Sequence, residues 1–258
     1  MNIITIIVAR GGSKRLHRKN TKLFCGRPLI AWSIIQSRAC EGIAETFVST
    51  DDEEIADISR EYGAIVLRRQ DVRESLDVTS GGVPISLAVH RLAKEREFDA
   101  VIQFFTSTVL RKTDDLDRLI KKWNKVHHKI DVSHHRPFEP SGGINFYWPL
   151  RDSFLAKRID DDRVEEVIVD KTGLYLNSLG GMGINSKEQF LKYVIDWDKV
   201  ETWYDPIIFN RNPTPKYYCL AEWWQGFEID TQEDFDLCEY LFNLYLKKDW
   251  EEAWKLLQ

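Results

Sequence analysis

A basic loop follows the first predicted strand of the chain. It spans residues 10–22, which contain six Lys or Arg and no Asp or Glu, and it opens with the run Arg10-Gly11-Gly12-Ser13-Lys14. Glycine permits positive φ and a close approach of the backbone, so N–H groups are open to an oxyanion, and the basic side chains add charge-assisted hydrogen bonds. The loop matches neither the Walker A spacing nor the GxGxxG fingerprint. It indicates a site for a compact anion such as a phosphate, with a solvated surface loop as the alternative.

A pair of carboxylates lies near the other end of the chain. Glu228 and Asp230 are separated by one residue, in a segment that we predict to end a strand. Alternate residues of a strand point to the same side, so the two carboxylates can share a cation. The alternative is an acid on an edge strand followed by a helix cap, because Thr231 and Asp234 have the spacing of a capping box.

The first half of the chain alternates predicted strands with predicted helices. The strands are expected at residues 3–9, 44–49, 64–67 and 100–105, and the helices at residues 28–38, 50–62, 83–94 and 114–126. This alternation predicts an α/β fold with a parallel sheet and helices on both faces. Ligands of such sheets bind at the carboxyl ends of the strands. The basic loop directly follows the first strand, so it lies where this fold binds its ligand.

Five segments of the chain resemble, in order, the motifs of the acylneuraminate cytidylyltransferase family, the CMP-sugar synthetases. They are IIVARGGSKRLHRKN near the amino terminus, Phe47 to Asp52 with Ile55-Ala56, Tyr62-Gly63-Ala64 with Arg68, Thr106-Ser107 with Leu110-Arg111, and Glu228 to Asp234. The resemblance implies a Rossmann-like nucleotidyltransferase fold with a mostly parallel central sheet, usually in a homodimer. It also implies an enzyme that transfers CMP from CTP to the anomeric hydroxyl of a 3-deoxy-2-keto sugar acid, a sialic-acid-like nonulosonate, and releases pyrophosphate.

The resemblance also implies roles for individual residues. Arg10, Lys19 and Asp230 are expected to act in catalysis. Glu228 and Asp230 are expected to hold Mg²⁺, the implied cofactor. Asn20 is expected to read the edge of the cytosine. The full set of implied nucleotide-binding residues is Arg10, Gly11, Gly12, Ser13, Lys14, Lys19, Asn20, Arg68 and Ser80.

One departure from the family pattern concerns the acceptor. The family carries a Gln-Pro pair before Thr-Ser, and the glutamine helps to hold the sugar acid, whereas Phe104 stands at that position here. We therefore expect an altered acceptor pocket that favours a different nonulosonate, or another small acid, over ordinary sialic acid. Two other functions stay open: a cytidylyltransferase that acts on a phosphonate or other small acid, and a nucleotide-binding homologue without catalytic activity.

The chain length suits one large α/β domain, or a main domain with a small appendage. Together with the resemblance, it leads us to expect a single nucleotidyltransferase domain over residues 1–258. Within it, residues 145–178 combine many aromatic residues with an acidic run. This segment is expected to be a small protruding hairpin or a dimerisation arm, with a solvated surface excursion as the alternative. A further helix is expected at residues 185–193, and another is expected to begin at Thr231.

Charge and composition exclude several classes of partner. A net charge of −5 argues against nucleic-acid binding, which needs a basic face. The longest apolar run, at residues 3–9, is too short to span a bilayer and lacks the flanks of a signal peptide, so we expect no membrane association. The four cysteines have no CxxC spacing, which is typical of reduced thiols in a cytoplasmic protein.

Overall fold

The computed structural model describes residues 1–76, 81–130, 144–149, 155–158, 163–167, 175–191 and 216–258. Within these ranges the strands are β1 (Ile3–Val8), β2 (Leu23–Phe24), β3 (Arg27–Pro28), β4 (Glu45–Thr50), β5 (Ile65–Arg68), β6 (Ala100–Phe105), β7 (Ile144–Pro149), β8 (Leu155–Arg158), β9 (Arg163–Val167), β10 (Tyr175–Ser186) and β11 (Lys216–Leu220). The helices are α1 (Leu29–Arg38), α2 (Glu53–Glu61), α3 (Gly82–Leu92), α4 (Asp115–Val126), α5 (Lys187–Leu191), α6 (Gln232–Tyr245) and α7 (Lys247–Leu257).

Nine of these strands form one sheet in the order β5-β4-β1-β6-β10-β7-β11-β9-β8. The strands β5, β4, β1 and β6 are parallel, and β10 joins β6 in the antiparallel sense. The chain runs outward from β1 to β4 and β5, and it then returns to place β6 on the other side of β1. The strand order therefore reverses between β1 and β6, which is the switch point where such sheets bind ligands. The predicted α/β class with a parallel central sheet is confirmed.

The second half of the chain extends the same sheet. Residues 145–178 contribute most of β7, the strands β8 and β9, and the start of β10, and β8 pairs with both β9 and β10. The described parts of this segment are thus strands of the nine-stranded sheet, and its role as a dimerisation arm stays a prediction. The helix expected at residues 185–193 begins later than predicted, because residues 185 and 186 complete β10 and α5 begins only at residue 187.

The core lies on both faces of the sheet, and β1 contributes to both sides. Ile3 and Ile7 belong to one buried cluster, whereas Ile4 and Ile6 belong to the other. A strand that is buried on both faces favours apolar residues at nearly every position, which explains the apolar run in the sequence, where Thr5 is the one polar residue of β1.

The carboxy-terminal helices cover α1. The indole Nε1 of Trp32 donates to the carbonyl oxygen of Phe24 at 2.7 Å, and its ring lies 4.7 Å from that of Phe242 on α6. Because α6 packs here, the residues just before it are brought back to the amino-terminal loop. In the described part of the chain, no helix is long and apolar enough to cross a membrane.

Candidate active site

Asn20 fixes the basic loop over the switch point. Its side chain is buried, its Nδ2 donates to the carbonyl oxygen of Arg10 at 2.9 Å, and its Oδ1 accepts from Thr106 Oγ1 at 2.5 Å. These bonds tie the two ends of the loop to each other and to the residue that follows β6. Both polar groups of the Asn20 amide are engaged by the protein, so the structure gives Asn20 a part in holding the loop.

Gly11 brings the loop against the carboxylates that follow β4. Its N–H donates to Asp51 Oδ1 at 3.1 Å, and a Cβ at this position would lie 2.5 Å from Asp52 Oδ2. Asp52 cannot move aside cheaply, because its carboxylate also caps α2 by accepting from Ile55 N at 3.0 Å. Among the described glycines, positive φ is found only at Gly26 and Gly63. Gly11 therefore serves the close approach of the backbone to Asp52 and not a left-handed conformation.

A cavity of about 340 Å³ opens at the carboxyl ends of β1 and β6. One end of its wall is basic and polar, with contributions from Arg10, Ser13, Lys14, Arg15 and Lys19. Gly12 is not part of the wall, and it has no neighbour within 4 Å of the position that a Cβ would take. The volume lies at the lower end of the range for small-molecule sites, and the basic end suits a polyanion.

Asp230 faces the cations of this basic end. Its carboxylate lies 2.9 Å from the Arg15 guanidinium and 3.6 Å from Lys19 Nζ. Lys19 Nζ also donates to the carbonyl oxygen of Ile229 at 2.6 Å. Burial lowers the pKa of Lys19, although the charge of Asp230 opposes this shift. The basic loop and the segment before α6 are therefore held together by charge across the cavity mouth.

Glu228 interacts with the same group of charges. The pKa of its carboxyl is raised, first because the group is partly withdrawn from water and second because Asp230 is a like charge nearby. The side chain still reaches solvent and is not part of the cavity wall. Within the described ranges, no group of three or more His, Cys, Asp or Glu is placed to hold a metal ion. A cation at this pair would need further ligands from water or a bound anion.

The segment that carries these acids is not a strand, so that prediction is wrong. Residues 227–230 run between a 3₁₀ turn at Trp223–Gly226 and the start of α6. They are fixed by a backbone hydrogen bond from Ile229 N to the carbonyl oxygen of Ser107, at 2.9 Å, and by the buried side chain of Ile229. The predicted cap is confirmed, because the Thr231 side chain accepts from Asp234 N at 3.3 Å.

The structure places Arg69, rather than Arg68, in the cavity wall. Arg68 is exposed and donates to the carbonyl oxygen of Asp52 at 3.0 Å. The Arg69 guanidinium reaches inward to Ser75 Oγ at 2.8 Å, and burial lowers its pKa. The sequence feature that could have identified Arg69 as a site residue is its position directly after β5, at the carboxyl end of a parallel strand. Ser80 lies outside the described residues.

Phe104 does not wall the cavity, so the expected altered acceptor pocket cannot rest on its ring. The ring is fully buried in the core, and the Arg111 guanidinium carbon lies 4.2 Å from its centroid. Phe105 points to the other face of the sheet and lines the cavity. Strand alternation decides this placement, because neighbouring residues of β6 face opposite sides.

A 3₁₀ turn at Val72–Ser75 forms part of the cavity wall and contacts the start of the basic loop. Its residue Glu74 is buried and lines the cavity, and Arg10 Nη1 donates to the carbonyl oxygen of Ser75 at 3.1 Å. Sequence reasoning missed Glu74 and Arg69. Asp71 and Glu74 have the spacing of a capping box, which could have located the turn.

A parallel four-stranded core with a basic loop at its switch point defines a Rossmann-like nucleotidyltransferase fold. The solved structure of a CMP:2-keto-3-deoxy-manno-octonic acid synthetase complexed with CTP has this fold. It aligns with a TM-score of 0.69 at 14% identity, over 95% of this chain and 100% of that chain. The cytidylyltransferase family matches residues 4–131, and the chain is a divergent member of that family.

Two curated relatives are CMP-sugar synthetases by name, which makes the family resemblance more specific. A CMP-N,N'-diacetyllegionaminic acid synthase of Legionella pneumophila is 42% identical over 137 residues, which are 51% of this chain and 53% of the relative. A pseudaminic acid cytidylyltransferase of Campylobacter jejuni is 34% identical over 124 residues, 48% of this chain and 53% of the relative. The chain spans about half the length of these curated relatives. The resemblance to CMP-sugar synthetases is confirmed.

Proposed function

We propose that this protein transfers CMP from CTP to the anomeric hydroxyl of a 3-deoxy-2-keto sugar acid of the nonulosonate class. The observation that carries the proposal is the switch-point cavity, which places the cations of the basic loop opposite Asp230. The acceptor class is taken from the names of the two relatives, which act on legionaminic and pseudaminic acids. Both acids are nonulosonates other than ordinary sialic acid.

In this proposal the basic end of the cavity binds the triphosphate. Arg10, Lys14 and Lys19 neutralise its charge, and Ser13 adds a hydrogen-bond donor. Lys19 is held by its bond to Ile229 and lies beside Asp230. Its ammonium group can therefore exchange its contact with Asp230 for a contact with a phosphate with little movement. In phosphoryl and nucleotidyl transfer, most of the rate enhancement comes from positioning of the reactants and neutralisation of their charge.

The transfer itself is a single displacement at the α-phosphorus. The anomeric oxygen of the acceptor forms the new P–O bond, and the bond between the α-phosphorus and the bridging oxygen to the β-phosphate breaks. The electron pair of that bond leaves with pyrophosphate, and the hydroxyl proton passes to solvent. The products are CMP joined to the sugar acid, pyrophosphate and one proton. The cations of the basic loop stabilise the charge that develops on the leaving group.

The carboxylates Glu228 and Asp230 fit a role as Mg²⁺ ligands. They are close enough to interact as like charges, and Mg²⁺ commonly binds one or two carboxylates while water and phosphate oxygens complete its shell. When bound, the ion would neutralise phosphate charge. Asp230 would then exchange its contact with Arg15 for the ion. A homodimeric state and a cytoplasmic location complete the proposal, the latter supported by four buried cysteines that form no disulfide.

The experiment that tests this function measures pyrophosphate release from CTP with a panel of acceptors. We expect release with a nonulosonic acid such as legionaminic or pseudaminic acid, and a product with the mass of the CMP adduct. Release only with a phosphonate or phosphate acceptor would overturn the acceptor class while keeping the cytidylyltransferase. CTP binding without release for any acceptor would favour a nucleotide-binding homologue without catalytic activity.

A further inference from the structure

Gln225 ties the 3₁₀ turn that precedes residues 227–230 to the loop between β6 and α4. The side chain is buried, and the residue is 1% exposed. Its Oε1 accepts from Glu222 N at 2.8 Å, and its Nε2 donates to the carbonyl oxygen of Leu110 at 3.0 Å and to Asp115 Oδ2 at 2.6 Å. The amide oxygen and the amide nitrogen are both engaged, so these bonds fix the orientation of the side chain.

Asp115 is a well-held acceptor for this amide. Its side chain is fully buried, Lys112 N donates to its Oδ2 at 2.7 Å, and the Arg118 guanidinium donates to its Oδ1. A hydrogen bond to a charged group contributes more than a neutral one, and a buried acceptor that loses a donor is costly. The contact between Gln225 and Asp115 therefore opposes displacement of the turn.

The loop between β6 and α4 also supports both sides of the cavity mouth. Thr106 Oγ1 donates to Asn20 Oδ1 in the basic loop, and the carbonyl oxygen of Ser107 accepts from Ile229 N. The cations of the basic loop and the segment that carries Asp230 thus share one support. The buried glutamine of the 3₁₀ turn adds a further attachment to this support, on the acidic side only.

We propose that Gln225 is a positioning residue for the transfer, because it holds the turn that sets where the Asp230 carboxylate lies relative to Lys19. Residues 227–230 have no regular structure, so a displacement of the turn is passed on to Asp230. A misplacement of about 1 Å near the reacting groups can lower the rate about a hundredfold. Gln225 is not part of the described cavity wall, so it acts through Asp230. The inference rests on the proposed function, in which Asp230 takes part in the transfer.

The test replaces Gln225 by methionine, which keeps the length of the side chain and removes its three hydrogen bonds. We expect kcat for pyrophosphate release to fall about tenfold or more. The dissociation constant of CTP, measured by isothermal titration without acceptor, should stay that of the unmodified protein, because the basic loop keeps its own bond to Thr106. Hydrogen exchange at the Ile229 amide should become about tenfold faster or more, since its bond to Ser107 opens more often.

Gln189→Met is the matched control. Gln189 is 2% exposed, and its Oε1 accepts from Ser186 N at 2.8 Å, in the same arrangement that Gln225 has with Glu222. It lies on α5, whose described residues do not line the cavity. This substitution should lower the thermal stability but leave both kcat and the hydrogen exchange of Ile229 unchanged.

Three outcomes would overturn the inference. If Gln225→Met and Gln189→Met lower kcat equally, or if neither lowers it, Gln225 has only a structural role. If kcat and CTP affinity fall together in Gln225→Met, the residue supports the whole binding site and not the position of Asp230. Both of these outcomes leave the proposed function intact. If the unmodified protein releases no pyrophosphate with any acceptor, the proposed function fails and this inference fails with it.

A second pair of variants serves if Gln225→Met does not fold. Gln225→Asn keeps the amide and withdraws it by one methylene, so it cannot reach Leu110 and Asp115 as the glutamine does. It should show the same fall in kcat and the same faster exchange at Ile229, measured against Gln189→Asn. Equal behaviour of the two asparagine variants would overturn the inference.

Discussion

At the scale of single residues, Asp230 links the basic loop to the proposed chemistry. It contacts Arg15 and lies beside Lys19, and it lines the cavity whereas Glu228 does not. Its ion pair with Arg15 is largely exposed, with the Arg15 side chain 72% accessible. Pairs of this kind contribute about 0–1 kcal/mol to the free energy of unfolding. The carboxylate of Asp230 is thus expected to matter more for activity than for folding.

The substitution Asp230→Asn separates these two roles. We expect turnover with Mg²⁺ to fall about a hundredfold or more, because the variant loses a charged ligand that positions the cation. The free energy of unfolding should change by less than about 1 kcal/mol. Steady-state kinetics over a Mg²⁺ titration and urea unfolding provide the two readings. Asp236→Asn, on the exposed side of α6, is the control and should leave both unchanged. Full activity in Asp230→Asn would refute the assignment of the metal ligand.

At the scale of elements, the loop after β1 depends on how closely it approaches the start of α2. The close contact is between Gly11 and the capping carboxylate of Asp52, whereas Gly12 has open space around it. Two adjacent glycines that look equivalent in the sequence therefore serve different purposes. The loop conformation is set by its packing against β4 and α2 as much as by its own residues.

Alanine at each of the two glycines tests this packing. Gly11→Ala should lower the free energy of unfolding by about 1–3 kcal/mol, because the new methyl group collides with a side chain that is held in place as a helix cap. It should also weaken CTP binding by displacing the loop. Gly12→Ala should leave the free energy of unfolding nearly unchanged. Thermal or urea unfolding of the pair gives the comparison, and equal destabilisation by both substitutions would contradict the loop geometry.

At the scale of the whole molecule, the sequence predicted those parts that follow from local pattern. Local sequence patterns determine three features: the buried strand β1, the alternation of β4, α2 and β5, and the capping box before α6. The central parallel sheet followed from that alternation. The basic loop could be located because it directly follows β1.

Tertiary packing determines the parts of the site that local sequence patterns do not predict. Successive residues of β6 point to opposite faces of the sheet, so Phe105 lies in the cavity wall and Phe104 lies in the core. A shift of the strand register by one residue would exchange the two. Arg69 and Glu74 enter the wall because β5 pairs with β4, the neighbour of β1 in the sheet, and because the turn after β5 reaches Arg10 at the end of β1. Residues 227–230 have no regular structure, so their position depends on the contact with Ser107, which is far away in the chain. Long-range contacts of this kind leave no periodic pattern.

The central claim is that the cavity between β1 and β6 is the CTP site and that the basic loop binds the triphosphate. Isothermal titration of CTP, with Mg²⁺, into the unmodified protein, Arg10→Ala and Lys19→Ala tests it most directly. Each substitution removes charge-assisted hydrogen bonds worth about 1.5–3 kcal/mol, so the account predicts CTP binding by the unmodified protein and about tenfold or greater weakening in both variants. Unchanged CTP affinity in both variants would contradict the account.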